Sequence, residues 1–251
     1  MPRNKISNWI KEYLMNARLS SLIVGVSGGI DSAVVSTLAA QTGKPTYVVS
    51  LPIHQDKAQL NRADRHIEWL SENYSNVHPV EIDLTEVYDT LIATLTPTEP
   101  TEIATANTRA RLRMTTLYSL AATYEGLVVG TGNKIEDFGV GFFTKYGDGG
   151  VDISPIADLY KSEVYALGAE LGVSDEIIEA APTDGLWADG RTDEEQLGAT
   201  YEELEWAMNW FEIGDENSKV SEKEKQILNL YLRHHMRNKH KMTPIPIYPN
   251  S

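Results

Sequence analysis

The 251-residue chain contains no cysteine, which excludes disulfides, thiolate metal centres and cysteine nucleophiles. A cysteine-free composition suits a reducing compartment, and a cytoplasmic location is expected. Basic residues are in deficit as well: 22 Lys and Arg against 36 Asp and Glu give a formal net charge of −14. Nucleic-acid-binding surfaces are normally basic, so no nucleic-acid partner is expected. A small anionic ligand stays possible, because it feels the field of its own cleft. Long apolar runs are missing too. No segment approaches the ~20 residues of a membrane span, and the start MPRNKISNWI lacks the apolar core of a leader. No membrane partner is expected.

The charge deficit is uneven. Residues 184–224 are strongly acidic, whereas no acid follows Glu224 and the remainder holds Lys225, Arg233, Arg237, Lys239 and Lys241. That leaves the C-terminal region free to meet phosphates.

Short apolar runs alternate with helix-compatible segments. Strands are expected at residues 22–26, 45–51, 77–82 and 127–130. Helices are expected from Ser32, through Leu60, Ala63, Ile67 and Leu70, from Thr85, over residues 103–124, and through Tyr160, Val164, Leu167 and Leu171. Gly126 reads as the glycine that stops the long helix. Near-continuous apolar strands in strand–helix–strand order predict α/β architecture, an open parallel sheet with helices on both faces. Residues 139–155, GVGFFTKYGDGGVDISP, are too glycine-rich for an element interior and too long for a plain connector; such loops are usually binding segments. Residues 184–192 form a second irregular stretch, and helices follow from Tyr201 and Glu222. The expectation is one domain over residues 1–251, with a nucleotide-binding core at about 20–165 and a mainly helical extension at 166–251.

LIVGVSGGIDSAVV, residues 22–35, carries the sharpest signal. A strand that ends in a glycine turn and feeds a helix is how open α/β sheets hold phosphate, through backbone N–H groups and the helix dipole. Gly25, Gly28 and Gly29 do not fit the dinucleotide Gly-x-Gly-x-x-Gly spacing, and no Gly-Lys-Ser/Thr follows. Asp31 is the unusual member, because a carboxylate beside polyphosphate is repulsive unless a cation lies between them. Mg²⁺ bridges carboxylates to phosphate oxygens, which makes Asp31 a candidate ligand. The alternative is that Asp31 caps its own helix.

Ser27-Gly28-Gly29-Ile30-Asp31-Ser32 resembles the pyrophosphate loop of adenylate-forming ATP pyrophosphatases. GTGNKIED at 130–137, GFFTKYGDGGVDISPIADLYKSEV at 141–164 and NKHKM at 238–242 resemble the NAD synthetase family in particular. The resemblance implies an ammonia-dependent, C–N bond-forming ligase. Such an enzyme converts deamido-NAD to NAD through an acyl-adenylate, with ATP as co-substrate and Mg²⁺ as cofactor. It implies ATP contacts at Gly25, Val26, Ser27, Gly28, Gly29, Ile30, Asp31, Ser32, Thr131, Lys161 and Thr183. It implies metal ligation by Asp31 and Glu136, and dinucleotide contacts at Arg111, Lys145, Asp152, His240 and Lys241. Asp31, Lys161 and Asp152 are the catalytic candidates, Asp152 as acceptor of a proton from ammonium. Helix geometry puts Arg109 and Arg113 on one face and Arg111 opposite, and the resemblance selects Arg111. Ser50, Leu51, Pro52 and Gln55 are implied near adenine.

The resemblance also implies a homodimer, for which Trp206, Met208, Trp210 and Phe211 offer an apolar patch that could equally be core. Without cysteine the chain cannot hydrolyse glutamine through a cysteine-dependent glutaminase, so free ammonia is the expected nitrogen source. Two rivals stay open: a tRNA-modifying relative, which would favour cysteines and a basic surface, and a nucleotide sensor, which would not need Asp31, Glu136 and Lys161 together.

Overall fold

In the computed structural model, which describes residues 2–183, 185, 190–214 and 220–249, the first apolar run is an interior strand of a four-stranded sheet. Helix α1 (Pro2–Asn16) precedes β1 (Ser21–Gly25), followed by α2 (Ile30–Ala40), β2 (Thr46–Ser50), α3 (Lys57–Asn73) and β3 (Val77–Glu81). Then come α4 (Thr85–Leu95), α5 (Glu102–Thr123), β4 (Gly126–Val128) and α6 (Lys161–Leu171). The C-terminal part holds α7 (Asp175–Ile178), α8 (Asp193–Leu197), α9 (Tyr201–Ile213) and α10 (Glu222–Met242).

All strand pairs are parallel, in the order β3-β2-β1-β4, with Val24 opposite Val48, Val48 opposite Pro79 and Ile23 opposite Val128. Pro79 has no N–H to donate, and its strand lies at the sheet edge where that is tolerated. The chain builds outward from β1 to β3 and then returns to the other side of β1 with β4. The β1/β4 boundary is therefore the switch point, where open α/β sheets leave a crevice at the carboxyl ends of their strands.

Alternation along β1 divides the core. Leu22 and Val24 face a layer containing Ile10, Leu14, Val34, Leu38, Val164 and Leu171, from α1, α2 and α6. Ile23 faces the opposite layer, with Val49, Leu84, Tyr88, Ala121 and Val128. Helix α1, which the sequence reading left unassigned, buries Ile10 and Leu14, one helical turn apart. A separate apolar cluster, including Ile135, Val140, Leu204, Met208 and Tyr231, joins α9 and α10 to the segment after β4.

Two expectations need correction. Gly126 does not stop the long helix: Glu125 takes the left-handed conformation there (φ 49°), and Gly126 opens β4. A β-carbon on Gly126 would lie 2.5 Å from Ser21 Oγ, so this glycine serves the close approach of two strands. The loop expected from residue 139 begins later, because Lys134–Val140 forms a π-helical turn closed by Gly141 (φ 64°). Of the residues open between contact patch and core, Met208 is core and Trp206 packs on the same cluster, while Phe211 stays exposed. Most of the second irregular stretch, at 184 and 186–189, lies outside the described residues.

The later helices start where the sequence provides paired hydrogen bonding. Thr192 with Glu195, Thr200 with Glu203 and Ser221 with Glu224 form reciprocal caps at the N-termini of α8, α9 and α10.

Candidate active site

The turn after β1 is built around Gly28, which takes φ 82°. A β-carbon there would sit 2.4 Å from the Gln59 carbonyl oxygen, so the turn and α3 exclude any larger residue. Two serines brace the turn. Ser32 Oγ donates to the Gly29 carbonyl (2.9 Å) and accepts from Ser27 N (3.2 Å), with Ser27 Oγ also 3.2 Å away. Gly29 occupies the N-cap of α2 and no side chain caps the helix. The first N–H groups of α2 are thereby left for a ligand at the positive end of the helix dipole. Val26 and Ile30 are buried, so what they offer a ligand is backbone.

Asp31 does not cap α2. Its carboxylate accepts from Asn133 Nδ2 (3.2 Å) and Lys161 Nζ (2.5 Å). Lys161 opens α6, is 3% exposed, and also donates to Glu136 Oε1 at 2.9 Å. Asn133, fully buried before the π-helical turn, accepts from Glu136 N (3.0 Å) while donating to Asp31. The first turn of α2, the segment after β4 and the start of α6 thus bring together two carboxylates sharing one ammonium.

The electrostatics follow from that sharing. Burial works against the Lys161 charge, but Asp31 and Glu136 outweigh it and hold the ammonium pKa above its ordinary value. Burial raises the Asp31 pKa, aided by Glu136 and opposed by Lys161. Glu136 also suffers burial, yet the Lys161 charge and hydrogen bonds from Tyr201 and Lys161 bring it below the usual carboxylate range.

Tyr201, absent from the expected set, donates to Glu136 Oε1 at 2.5 Å and lies 3.3 Å from Asp193 Oδ2. Its ring centroid is 5.0 Å from Lys161 Nζ. Burial, and then Glu136, raise the pKa of its hydroxyl, so it remains a donor. Two more acids lie close by. Burial lifts Asp137 well above the carboxylate range, reinforced by Asp148 and Glu136. Asp148, also raised by burial, accepts from Thr144 N at 2.9 Å.

The opposite wall is made differently. Arg111 donates to the Lys145 carbonyl (3.3 and 3.4 Å), Lys145 Nζ to the His240 carbonyl (2.8 Å) and Lys241 Nζ to the Phe143 carbonyl (2.7 Å). Asn238 and His235 add hydrogen bonds to the Val140 and Gly139 carbonyls. Helix α10 is therefore stitched to residues 139–145 by side chains donating to backbone.

Between the walls lies a cleft of about 870 Å³, within the range for small-molecule sites. Its lining includes residues 25–32, Thr131, Glu136, Lys161 and Thr183, and also Arg111, Lys145, His240 and Lys241. Ser50, Leu51, Pro52 and Gln55 line it at the end of β2. Thr183 Oγ1 donates to the Arg191 carbonyl at 3.2 Å. Asp152 is not brought to the cleft: its oxygens accept from Val128 N (2.8 Å) and Tyr118 OH (3.0 Å), tying β4 to the following loop. Arg113 is brought there and was not expected. It donates to the Leu51 carbonyl (3.0 Å) and Gln55 (2.8 Å), and burial lowers its pKa to about 10.

The donor set fits a hard divalent cation. Asp31 and Glu136 present carboxylate oxygens to one point, now bridged by an ammonium. Among the described residues no group of three or more His, Cys, Asp or Glu is arranged to hold a metal alone. Two carboxylates would suit Mg²⁺, which takes one or two from a protein and completes its shell from phosphate and water.

Comparison with known proteins identifies relatives of the whole chain. A family model described as NAD synthase matches residues 3–244. The chain is 39% identical to the NH(3)-dependent NAD(+) synthetase of Alkaliphilus metalliredigens, over 98% of each chain. It is similar to the structure of an NMN synthetase from Francisella tularensis, with TM-score 0.86, 36% identity, and coverage of 100% of this chain and 98% of the other. It is also similar to an NH3-dependent NAD synthetase from Campylobacter jejuni, with TM-score 0.81, 27% identity, and coverage of 99% and 98%.

Proposed function

The chain belongs to the NAD synthase family, and from that premise we propose that it amidates deamido-NAD with ammonia, consuming ATP and releasing AMP and pyrophosphate. The observation that carries the mechanism is the Asp31–Lys161–Glu136 cluster beside an uncapped helix N-terminus.

A carboxylate is a poor acyl donor until its oxygen becomes part of a good leaving group. The nicotinate carboxylate oxygen attacks the α-phosphorus of ATP, the bond to the β-phosphate oxygen breaks, and pyrophosphate carries away the electron pair. Backbone N–H groups of residues 27–32 and the α2 dipole receive that charge as it develops. Lys161, held as an ammonium by its two neighbours, meets the phosphates. Asp31 and Glu136 would hold Mg²⁺, which when bound would neutralise polyphosphate charge and align it. Ammonia then attacks the acyl carbon, the acyl C–O bond breaks with its electron pair leaving on AMP, and the nitrogen gives up one proton to water, leaving the amide. Arg111, Lys145, His240 and Lys241 hold the dinucleotide against the far wall, while Thr131 and Thr183 contact ATP. Asp152 is assigned to positioning β4 rather than to proton transfer, since both its oxygens are already engaged. Alignment and charge stabilisation supply the acceleration, with no covalent enzyme intermediate.

A homodimer and a cytoplasmic setting are part of the same proposal. Sedimentation at assay concentration tests the first: a dimer mass is expected, and a monomer mass at full activity removes it.

A second reading has support from the Francisella tularensis relative, named an NMN synthetase. The mononucleotide carries the same nicotinate carboxylate and lacks the adenylyl half. The chain is incubated with ATP, Mg²⁺ and ammonium plus either deamido-NAD or nicotinic acid mononucleotide, and all products are quantified. AMP, pyrophosphate and NAD support the main reading, and a higher kcat/KM with the mononucleotide supports the second. ADP and phosphate would contradict both.

A further inference from the structure

We propose that Arg62 is a further binding residue for the leaving pyrophosphate, gripping it from the α3 side of the glycine turn. This rests on assigning pyrophosphate to residues 27–32.

The charge balance of the inner wall motivates the search for another cation. Lys161 is shared between two carboxylates, so the Asp31–Lys161–Glu136 group carries a formal excess of one negative charge facing a polyanion. The other cations lining the cleft lie or point elsewhere, Arg237 being on α10 in the opposite wall. Arg111, Lys145 and Lys241 donate to carbonyls of residues 143–145 and 240, and Arg113 to Leu51 and Gln55 at the end of β2.

Arg62 differs in position. It is half-buried on α3, lines the cleft, and donates from Nε to the Gly28 carbonyl at 3.3 Å. The Gln59–Ala63 turn that carries it presses on Gly28, where an added β-carbon would meet Arg62 Cβ at 3.4 Å. Among the described residues it has no carboxylate partner. A guanidinium offers five N–H donors in a planar fork, and Nε alone is used, leaving both terminal nitrogens for phosphate oxygens. Its bond to Gly28 fixes the fork against the very turn whose N–H groups face the ligand. Arg65, farther along α3, provides a contrast: it pairs with Glu176 at 2.5 Å on the surface and does not line the cleft.

The test measures binding of inorganic pyrophosphate with Mg²⁺, and separately of AMP, to the full-length wild type, Arg62→Gln and Arg62→Lys, with Arg65→Gln as control. Arg62→Gln is expected to weaken pyrophosphate about tenfold or more, as loss of charged hydrogen bonds does, while AMP changes by less than about twofold. Arg62→Lys, which keeps the charge and loses the fork, should fall between, and Arg65→Gln should match wild type. If Arg62→Gln fails to fold, Arg62→Lys carries the comparison. Unchanged pyrophosphate affinity in folded variants would overturn the role of Arg62, as would equal weakening of pyrophosphate and AMP. Wild-type protein that binds no pyrophosphate would instead bring down the glycine-turn assignment and this proposal together.

Discussion

The two walls of the cleft hold their charges by different means. On the inner wall, Lys161 is buried between the half-buried Asp31 and Glu136, and the group is fixed by Asn133 and Tyr201. On the outer wall, Lys145, Lys241 and Arg111 spend their hydrogen bonds on backbone carbonyls of neighbouring segments. A buried carboxylate that loses its cation is left uncompensated in a poorly solvated place. A lysine on a carbonyl exchanges one neutral acceptor for an anionic ligand at small cost. Under the proposed function the inner wall is a prebuilt reaction site, and the outer wall a binding surface that trades partners when the dinucleotide arrives.

The largest effect should come from the inner wall. Asp31→Ala is expected to lower kcat by ~10³-fold or more in a protein that still unfolds cooperatively; near-normal turnover would erase the distinction between the walls. Gly28→Ala comes next. It forces a β-carbon toward the Gln59 carbonyl and a left-handed backbone on alanine, costing about 1–3 kcal/mol. Thermal unfolding should reveal the loss, and turnover should fall by ~10²-fold as the loop N–H groups shift.

How far this site was legible in the sequence differs along the same division. The glycine turn was legible because six consecutive residues form it, and the α/β architecture because the strands are short apolar runs. Asn133 stood inside the quoted GTGNKIED but reads as an ordinary polar residue until Asp31 is seen beside it. Tyr201 was not legible at all, since it reaches Glu136 across 65 residues and opens a helix of another layer. Local signals misled where tertiary packing decided. Gly126 mimics a helix stop, yet it is required by contact with Ser21. Met208, open between surface patch and core in the sequence, fills the C-terminal core.

Tyr201→Phe sharpens the comparison by removing one hydroxyl from the inner wall. Loss of a hydrogen bond to a buried carboxylate costs about 1–2 kcal/mol. Mg²⁺ and ATP affinities are expected to fall roughly tenfold, read by titration calorimetry as well as by rate. No change in either would make Tyr201 a packing residue. The smallest effect belongs to the outer wall. Lys241→Met should raise KM for deamido-NAD about fivefold with kcat within about twofold, because one half-buried charged contact of this kind is worth ~1 kcal/mol. A selective fall in kcat would move Lys241 into the reaction site and break the division proposed here.

The account depends most on where the triphosphate lies. A crystal structure with Mg²⁺ and a non-hydrolysable ATP analogue tests it directly. The account requires the β- and γ-phosphates on the N–H groups of residues 27–32, with the metal between them and Asp31. Finding that turn vacant and the triphosphate seated against Lys145 and Lys241 would contradict it.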